Sequence, residues 1–213
     1  MHNLDYLKLY LVTDSGLSLG RPIDKVVESA VEGGVTVVQL REKTASTREF
    51  YKLAMRLKGI LRGTDVPLII NDRLDIALAC DAEGLHIGQS DMPYSVARKI
   101  LGPEKIIGLS TDTFAELEEA NAWDVDYVAV QAYDTQTKAD AARPLGPEGM
   151  RKARSLTRHP LVAIGGIHLS NAADISAAGA DSIAVVSEIM SAKDPEKASA
   201  DLMAAINSGI ARR

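Results

Sequence analysis

The 213-residue chain is poor in aromatic residues, has a single cysteine and lacks long apolar runs. Because only 4% of its residues are aromatic, the core must consist of Val, Ile, Leu and Ala, which favours a tight parallel sheet buried on both faces. Cys80 alone forms neither an internal disulfide nor a cysteine-based zinc site, so we interpret it as a small buried apolar residue. Apolar runs such as Ile76 to Cys80 are far shorter than the roughly 18 to 20 residues that span a bilayer. The sequence therefore predicts no membrane partner.

An excess of positive charge is also missing. Lys and Arg together number 24 against 29 Asp and Glu, which gives a formal net charge of -5. Such a chain has no global field that attracts nucleic acid or anionic lipid, so any anion site must be local. The basic stretch followed by an apolar stretch that marks a secretory signal is not seen after Met1. We therefore expect no nucleic-acid partner and a cytoplasmic location.

The sequence does contain a regular alternation of short runs rich in Val, Ile and Leu with longer amphipathic segments, which predicts alternating strands and helices. The predicted strands are Lys8 to Thr13, Val37 to Arg41, Leu68 to Asn71, Leu85 to Gly88, Ile106 to Ser110, Tyr127 to Gln131, Val162 to Gly165 and Ile183 to Ser187. The predicted helices are Ile23 to Glu32, Thr47 to Leu61, Leu74 to Cys80, Tyr94 to Leu101, Thr113 to Trp123, Pro147 to Leu156, Asn171 to Ala178 and Glu196 to Asn207. Ser95, Thr113 and Ser170-Asn171 are typical of helix caps, and Pro22 and Pro147 of first-turn prolines.

Eight strands joined by eight crossovers predict an α/β fold, a single (β/α)8 TIM barrel. It would be compact, because such barrels typically have about 250 residues. A doubly wound open sheet is the alternative. That fold usually has fewer strands and a Gly-x-Gly-x-x-Gly turn after the first strand, where this chain has Thr13-Asp14-Ser15-Gly16. Since no linker or change of composition divides the chain, we predict one domain over residues 1–213.

Polar residues interrupt the strand pattern at the carboxyl ends of the predicted strands. Gln39, Arg41 and Lys43 follow one another at period two, which places their side chains on one face, pointing into the barrel mouth. Enzymes with this fold build their active sites at that end of the barrel. Further candidate positions after strand ends are Asn71, Asp72, Asp91, Ser110, Thr135, Thr137, Lys138, Gly165, Gly166, Val186 and Ser187.

Each of these features also has a simpler structural interpretation. Arg41-Glu42-Lys43 could form a solvated rim of weak ion pairs, and Asn71-Asp72 could cap the following helix. His86, between two apolar neighbours, is more typical of a hydrogen-bonded barrel residue than of a ligand. Unrelated surface ion pairs and helix caps would not all fall at the carboxyl ends of successive strands. Their joint placement therefore favours a binding or catalytic site.

The candidate residues divide chemically into two groups. Three cations and two carboxylates suggest a polyphosphate held with a divalent ion. Mg²⁺ suits such a site, since it takes one or two carboxylates and completes its shell with water and phosphate oxygens. A glycine pair and the end of the eighth strand suggest backbone N–H groups for a phosphate monoester. The cations are Arg41, Lys43 and Lys138, the carboxylates Asp72 and Asp91, and the monoester group Gly165, Gly166, Val186 and Ser187.

Six motifs carry these residues in chain order. They are Gln39-Leu40-Arg41-Glu42-Lys43, Asn71-Asp72-Arg73-Leu74-Asp75, the run from Gly84 to Asp91, Thr135-Gln136-Thr137-Lys138, Ala163-Ile164-Gly165-Gly166-Ile167 and the run from Gly179 to Ser187. In this order the set resembles the thiamine-phosphate synthase family. The resemblance extends from about Leu9 to Ala198, and its Asn-Asp-Arg and Gly-Gln-Ser-Asp blocks are specific.

The resemblance implies a (β/α)8 barrel that joins 4-amino-2-methyl-5-hydroxymethylpyrimidine diphosphate to a thiazole phosphate, releasing pyrophosphate and thiamine phosphate. The implied route is dissociative: the CH₂–O bond of the pyrimidine breaks first, and the thiazole nitrogen captures the carbocation. The resemblance assigns residues to each ligand by matching motifs. The pyrimidine diphosphate is assigned to Gln39, Arg41, Lys43, Asn71, Ser110 and Lys138. Mg²⁺ is assigned to Asp72 and Asp91, and the thiazole phosphate to Thr135, Thr137, Gly165, Val186 and Ser187. The substrate-binding segments also include Leu40, Glu42, Gln136 and Gly166, and the candidate catalytic residues are Arg41, Lys43, Ser110 and Lys138.

Two positions depart from the family pattern. The segment before Thr135, Val130 to Asp134, is one residue shorter than the usual Gly-Pro-apolar-aromatic stretch. Asp112 stands where the family usually has a histidine. The related thiazole tautomerases use that histidine and lack the paired metal carboxylates, so both features argue against a tautomerase.

Three questions stay open at this point. The alternatives are a tautomerase or another phosphate-binding barrel enzyme, and a non-catalytic thiamine-precursor binding protein. The form of the thiazole phosphate is also undetermined. An exposed apolar helix face would support a homodimer, although periodicity does not separate such a face from the barrel's own packing.

Overall fold

The computed structural model describes residues 7–133 and 144–213, and its centre is a closed barrel of eight parallel strands. The strands are β1 (Leu9–Val12), β2 (Val37–Leu40), β3 (Leu68–Asn71), β4 (Gly84–Ile87), β5 (Ile106–Ser110), β6 (Tyr127–Gln131), β7 (Leu161–Ile164) and β8 (Ser182–Val185). They follow chain order around the barrel, which closes where Tyr10 of β1 pairs with Val37 on one side and Ala184 on the other. This arrangement confirms the predicted (β/α)8 barrel and excludes the open sheet.

The helices lie between the strands in sequence. They are α1 (Ile23–Glu32), α2 (Thr47–Leu61), α3 (Leu74–Ala79), α4 (Tyr94–Leu101), α5 (Phe114–Glu119), α6 (Gly146–Leu156), α7 (Leu169–Ala177), α8 (Ser187–Met190) and α9 (Pro195–Ile210). Three of them, α1, α2 and α4, begin and end at the predicted residues. In the two described ranges, none of the helices combines the length and the apolar character needed to cross a bilayer.

Buried side chains alternate along the strands between an inner and an outer layer. In β1, Tyr10 and Val12 belong to the cluster inside the barrel, whereas Leu9 and Leu11 belong to the layer between strands and helices. Cys80 is buried in the outer layer, as predicted, and burial raises the pKa of its thiol. The alternation is the period-two pattern of a strand with both faces covered.

The helix starts were only partly predictable. Thr113 accepts a hydrogen bond from the Glu116 backbone N–H at 3.2 Å in a capping box, as expected of a cap. The prediction for Ser95 is wrong, because Pro93 occupies the N-cap of α4. The prediction for Ser170-Asn171 is right only in part: His168 is the N-cap of α7 and both residues lie within the helix, but the Asn171 side chain accepts the His168 backbone N–H at 2.8 Å in a capping box.

The end of the eighth strand was also predicted too far along the chain. The strand stops at Val185, and Ser187 instead begins the short helix α8. The backbone N–H of Met190 donates to the Val186 carbonyl at 2.9 Å, which closes the helical turn immediately after the strand. The turn sits at the mouth of the barrel, where the site lies.

Candidate functional site

A cavity of about 910 Å³ opens at the carboxyl ends of the strands. Its walls hold most of the candidate residues from distant parts of the chain. Two others are not brought to it: Leu40 is fully buried in the outer core layer, and Glu42 accepts a hydrogen bond from the Ser15 hydroxyl. The candidates that line the cavity are Gln39, Arg41, Lys43, Asn71, Asp72, Asp91, Ser110, Gly165, Gly166, Val186 and Ser187. The candidates Thr135, Gln136, Thr137 and Lys138 lie outside the described residues.

The end of β2 delivers three polar side chains to one wall, as period two requires. Gln39, Arg41 and Lys43 line the cavity, and Leu40 between them points the other way. The Arg41 guanidinium lies 3.0 Å from the Asp14 carboxylate. The backbone N–H of Arg41 donates to the Thr13 hydroxyl at 3.0 Å. These contacts fix the guanidinium at the mouth and join the β1 and β2 loops.

The Asn71-Asp72 turn places a carboxylate opposite Lys43. Asp72 has a φ of 61°, in the left-handed region that aspartate tolerates better than most residues. The turn is closed by a hydrogen bond of 2.7 Å from the Arg73 N–H to the Asn71 carbonyl. Lys43 Nζ lies 2.8 Å from Asp72 Oδ2. The side chains of Asn71 and Asp72 do not cap α3, so the simpler interpretation of this pair is wrong.

The β4 loop brings in the second carboxylate. The Gly88 backbone N–H donates to Asp91 Oδ2 at 2.7 Å, which holds the carboxylate against the turn. Burial, reinforced by the nearby negative charge of Asp72, raises the pKa of Asp91. Two carboxylates from different loops therefore meet beside Lys43.

A chain of hydrogen bonds runs across the inside of the barrel beneath the mouth. The amide nitrogen of Gln39 donates to the Tyr10 hydroxyl at 2.8 Å, and the hydroxyls of Tyr10 and Tyr127 lie 2.6 Å apart. His86 joins the Tyr127 hydroxyl at 3.0 Å through Nδ1 and the Ser110 hydroxyl at 2.9 Å through Nε2. His86 is thus a hydrogen-bonded barrel residue, as predicted. The chain positions both Gln39 and Ser110 from below.

Two loops on the other side of the cavity form a surface of small residues and exposed backbone. Gly165 and Gly166 have φ values of 91° and 58°, and β-carbons would strain both positions. The Asn171 amide donates to the Gly166 carbonyl at 3.0 Å and so holds the turn. We call Gly165-Gly166 and Val186-Ser187 the cradle loops.

Several residues of the site escape prediction from the sequence. Asp14, which holds Arg41, follows β1 in an ordinary turn sequence. Tyr10 and Tyr127 stand in otherwise aliphatic strands and resemble plain core residues. The sequence gives one indication of their role: a tyrosine buried in a strand needs a hydrogen-bond partner for its hydroxyl. In a chain with few aromatic residues, two such tyrosines indicate polar groups inside the barrel.

Comparison with known proteins agrees with the geometry. The family model described as thiamine monophosphate synthase matches residues 9–189. The chain is 50% identical to the thiamine-phosphate synthase of Albidiferax ferrireducens over 193 residues, which is 90% of this chain and 88% of that protein. It is 47% identical to the enzyme of that name from Chloroflexus aurantiacus, covering 97% of this chain and 95% of that protein.

A solved structure supports the same relationship. The thiamine phosphate pyrophosphorylase of Pyrococcus furiosus superimposes with a TM-score of 0.89 at 39% identity, covering 98% of this chain and all of that one. The family match spans the strands and loops that build the cavity. The chain therefore belongs to the thiamine monophosphate synthase family.

Proposed function

We propose that the chain condenses 4-amino-2-methyl-5-hydroxymethylpyrimidine diphosphate with a thiazole phosphate to give thiamine phosphate and pyrophosphate. Family membership supports the reaction, and one observation carries its assignment to this cavity. Lys43, Asp72 and Asp91 meet on one wall, and the cradle loops form another. A diphosphate site at the first wall and a monoester site at the second would therefore share one opening, which a condensation of two phosphorylated substrates requires.

The donor set at the first wall fits a magnesium ion. Asp72 and Asp91 would hold it, because both carboxylates line the cavity and lie close enough that, after burial, the negative charge of Asp72 helps to raise the pKa of Asp91. Since no group of three metal-ligating side chains occurs in the described ranges, water and phosphate oxygens would complete the shell of the ion. When bound, Mg²⁺ would stabilise the negative charge of the pyrophosphate leaving group.

The protein's own cations supply the rest of the stabilisation. Lys43 is more than half exposed beside Asp72, so its ammonium can reach a diphosphate in the mouth. Arg41, held by Asp14, presents a planar guanidinium to phosphate oxygens. We propose that Lys138 adds a third positive charge. These groups lower the barrier by stabilising the departing anion, and no general base is needed at the thiazole nitrogen.

The pyrimidine and the thiazole phosphate would occupy opposite parts of the cavity. Gln39 and Ser110, fixed by the hydrogen-bond chain beneath them, would orient the pyrimidine, together with Asn71. The cradle loops would bind the thiazole phosphate through backbone N–H groups and the Ser187 hydroxyl. We propose that Thr135, Gln136 and Thr137 complete that side.

One assay tests the reaction against its alternatives. The purified protein is incubated with both phosphorylated precursors, with Mg²⁺ or with EDTA, and thiamine phosphate is measured. Product that depends on Mg²⁺ is the expected result. Isomerised thiazole phosphate would indicate a tautomerase, and binding of both precursors without turnover would indicate a non-catalytic binding protein. Equal turnover with EDTA would contradict the metal site.

We also propose that the protein acts in the cytoplasm as a homodimer. The helices α2, α3 and α4 are neighbours around the barrel and expose large apolar side chains, namely Tyr51, Met55, Leu78, Val96 and Ile100. A second copy is the partner that the flanking charges favour. On one side the solvent face of α2 is basic, and on the other the end of α5 exposes Glu118 and Glu119.

The symmetry of a dimer would bring these opposite charges together. A twofold axis parallel to the barrel axis, passing between α3 and α4, places α2 of one copy against α5 of the other, twice. Within the described ranges, Arg48, Arg56, Arg62, Glu118 and Glu119 form no ion pair, and Lys52 is attracted by Glu49 of its own helix. Arg48, Lys52 and Arg56 follow at intervals of four residues, and like charges at that spacing destabilise a helix, so an acidic partner surface would stabilise this face of α2.

A further inference from the structure

One hydrogen bond between side chains joins the loops that follow β7 and β8. His168 lies just after the glycine pair and lines the cavity, and Glu188 follows Ser187 in the first turn of α8. His168 Nδ1 is 2.8 Å from Glu188 Oε2, and the Leu169 backbone N–H donates to Glu188 Oε1 at 3.0 Å. A single carboxylate from the β8 loop therefore holds two groups of the β7 loop.

Each contact has a definite chemical reason. An ionised carboxylate can only accept hydrogen bonds, so the proton of this bond belongs to His168 Nδ1. Leu169 is the first residue of α7, and its N–H has no partner within its own helix. The carboxylate also faces the positive end of that helix, which favours its charge.

The β7 loop is already held on its other side. Asn171 Oδ1 accepts from the His168 backbone N–H at 2.8 Å, and its amide nitrogen donates to the Gly166 carbonyl. Hydrogen bonds from Asn171 therefore hold the glycine turn, His168 and the start of α7 together as one unit. Glu188 is the side chain that ties this unit to the loop carrying Val186 and Ser187.

We propose that His168 and Glu188 are positioning residues that keep the two cradle loops in register and so set the affinity for the thiazole phosphate. The proposal rests on the proposed function of those loops. Backbone N–H groups recognise phosphate only when they are placed to within about 0.5 Å, and here they come from two loops that are not adjacent in the chain. The pair is solvent-accessible, with side chains 54% and 26% exposed, so its contribution to overall stability should be small.

The test measures the KM of both substrates and the binding of the thiazole phosphate by calorimetry. Glu188→Ala and His168→Leu should raise the KM and the dissociation constant of the thiazole phosphate by about tenfold, in line with losses seen when supporting partners are removed from a site. The KM of the pyrimidine diphosphate and kcat at saturation should change less than twofold. His168→Asn should retain near-native affinity, because its amide nitrogen can replace Nδ1 as the donor.

Glu188→Gln should have an intermediate effect, since the amide keeps one acceptor of the two. Asp201→Asn, which breaks the exposed Lys197–Asp201 pair on α9, serves as the control and should change neither constant. The proposal is overturned if Glu188→Ala binds the thiazole phosphate normally. It is equally overturned if all constants change together with a large fall in Tm, because that result indicates a structural role only. A wild-type protein that neither forms thiamine phosphate nor binds the thiazole phosphate would contradict the proposed function itself, whatever the variants show.

Discussion

At the scale of single residues, the site depends on a carboxylate in a conformation few residues adopt. Asp72 occupies the left-handed region and faces both Lys43 and Asp91. Such a conformation costs about 1 to 3 kcal/mol and persists where the surroundings determine it. The cost is consistent with a position selected for its chemistry rather than for stability.

Asp72→Asn tests that chemistry with little change of shape. We expect kcat for thiamine phosphate formation to fall roughly 10²- to 10³-fold, as for the loss of one preorganised electrostatic group, or about 2.7 to 4 kcal/mol. Stability should change little, because relief of the repulsion with Asp91 offsets the loss of the partly exposed ion pair with Lys43. Steady-state kinetics at saturating Mg²⁺ and a thermal melt measure both effects. A variant with near-native kcat would remove Asp72 from the reaction.

His159 makes stability depend on pH. It is 7% exposed, its Nε2 lies 3.0 Å from the Ala120 carbonyl, and burial lowers its pKa below the unfolded value of about 6.5. The unfolded chain therefore binds a proton more readily than the folded one, so this contribution to stability is lost as the pH falls below about 6.5 through the folded pKa.

His159→Gln keeps a donor for the Ala120 carbonyl and removes the titration. We expect the Tm of the wild-type protein to fall more steeply than that of the variant between pH 7.5 and pH 5. Melting curves recorded for both proteins in the same buffers give the difference. Parallel pH profiles would show that His159 is not the group responsible.

At the scale of elements, two glycines in regular structure have opposite roles. Gly108 in β5 faces Tyr127, and a β-carbon there would overlap the tyrosine ring. A β-carbon on Gly59, in the exposed face of α2, would meet no atom within 4 Å apart from its chain neighbours and the backbone of its own helix. One glycine makes room for the hydrogen-bond chain beneath the site, and the other only adds backbone freedom to a helix.

Alanine at the two positions should therefore change stability in opposite directions. Gly108→Ala should lower the free energy of unfolding by about 1 to 3 kcal/mol through overpacking. Gly59→Ala should raise it by about 0.5 to 1 kcal/mol through helix propensity. Urea unfolding measures both values. A neutral Gly108→Ala would mean that Tyr127 can move without cost.

The fold was predictable because each element carries its own pattern. Apolar runs mark the strands, and a closed parallel barrel necessarily gathers their carboxyl ends, so Lys43, Asp72 and Asp91 could be brought together before any coordinates. The short helix α8 was missed because one turn has no periodicity. Leu40 and Glu42 were included by motif although period two points them away from Arg41. The Glu188 contact with His168 depends on how two loops cross, which no local pattern encodes.

At the scale of the whole molecule, opposite charges flank an apolar surface in the order that a twofold contact requires. The basic face of α2 lies on one side of Leu78, Val96 and Ile100, and the acidic end of α5 lies on the other. We therefore expect a homodimer whose stability decreases with added salt, since the charge pairs at its rim are exposed.

Charge reversal makes this dimer testable in both directions. Reversing two cations in Lys52→Glu/Arg56→Glu should place like charges against α5 of the partner and raise the dimer dissociation constant at least about tenfold at low salt. Adding Glu118→Arg/Glu119→Arg to the same chain restores opposite charges across the axis and should restore the dimer. Lys197→Glu on α9, across the barrel, is the control and should leave the dissociation constant unchanged. Sedimentation equilibrium measures all four proteins. A wild-type monomer, or a quadruple variant that fails to recover the dimer, would contradict this arrangement.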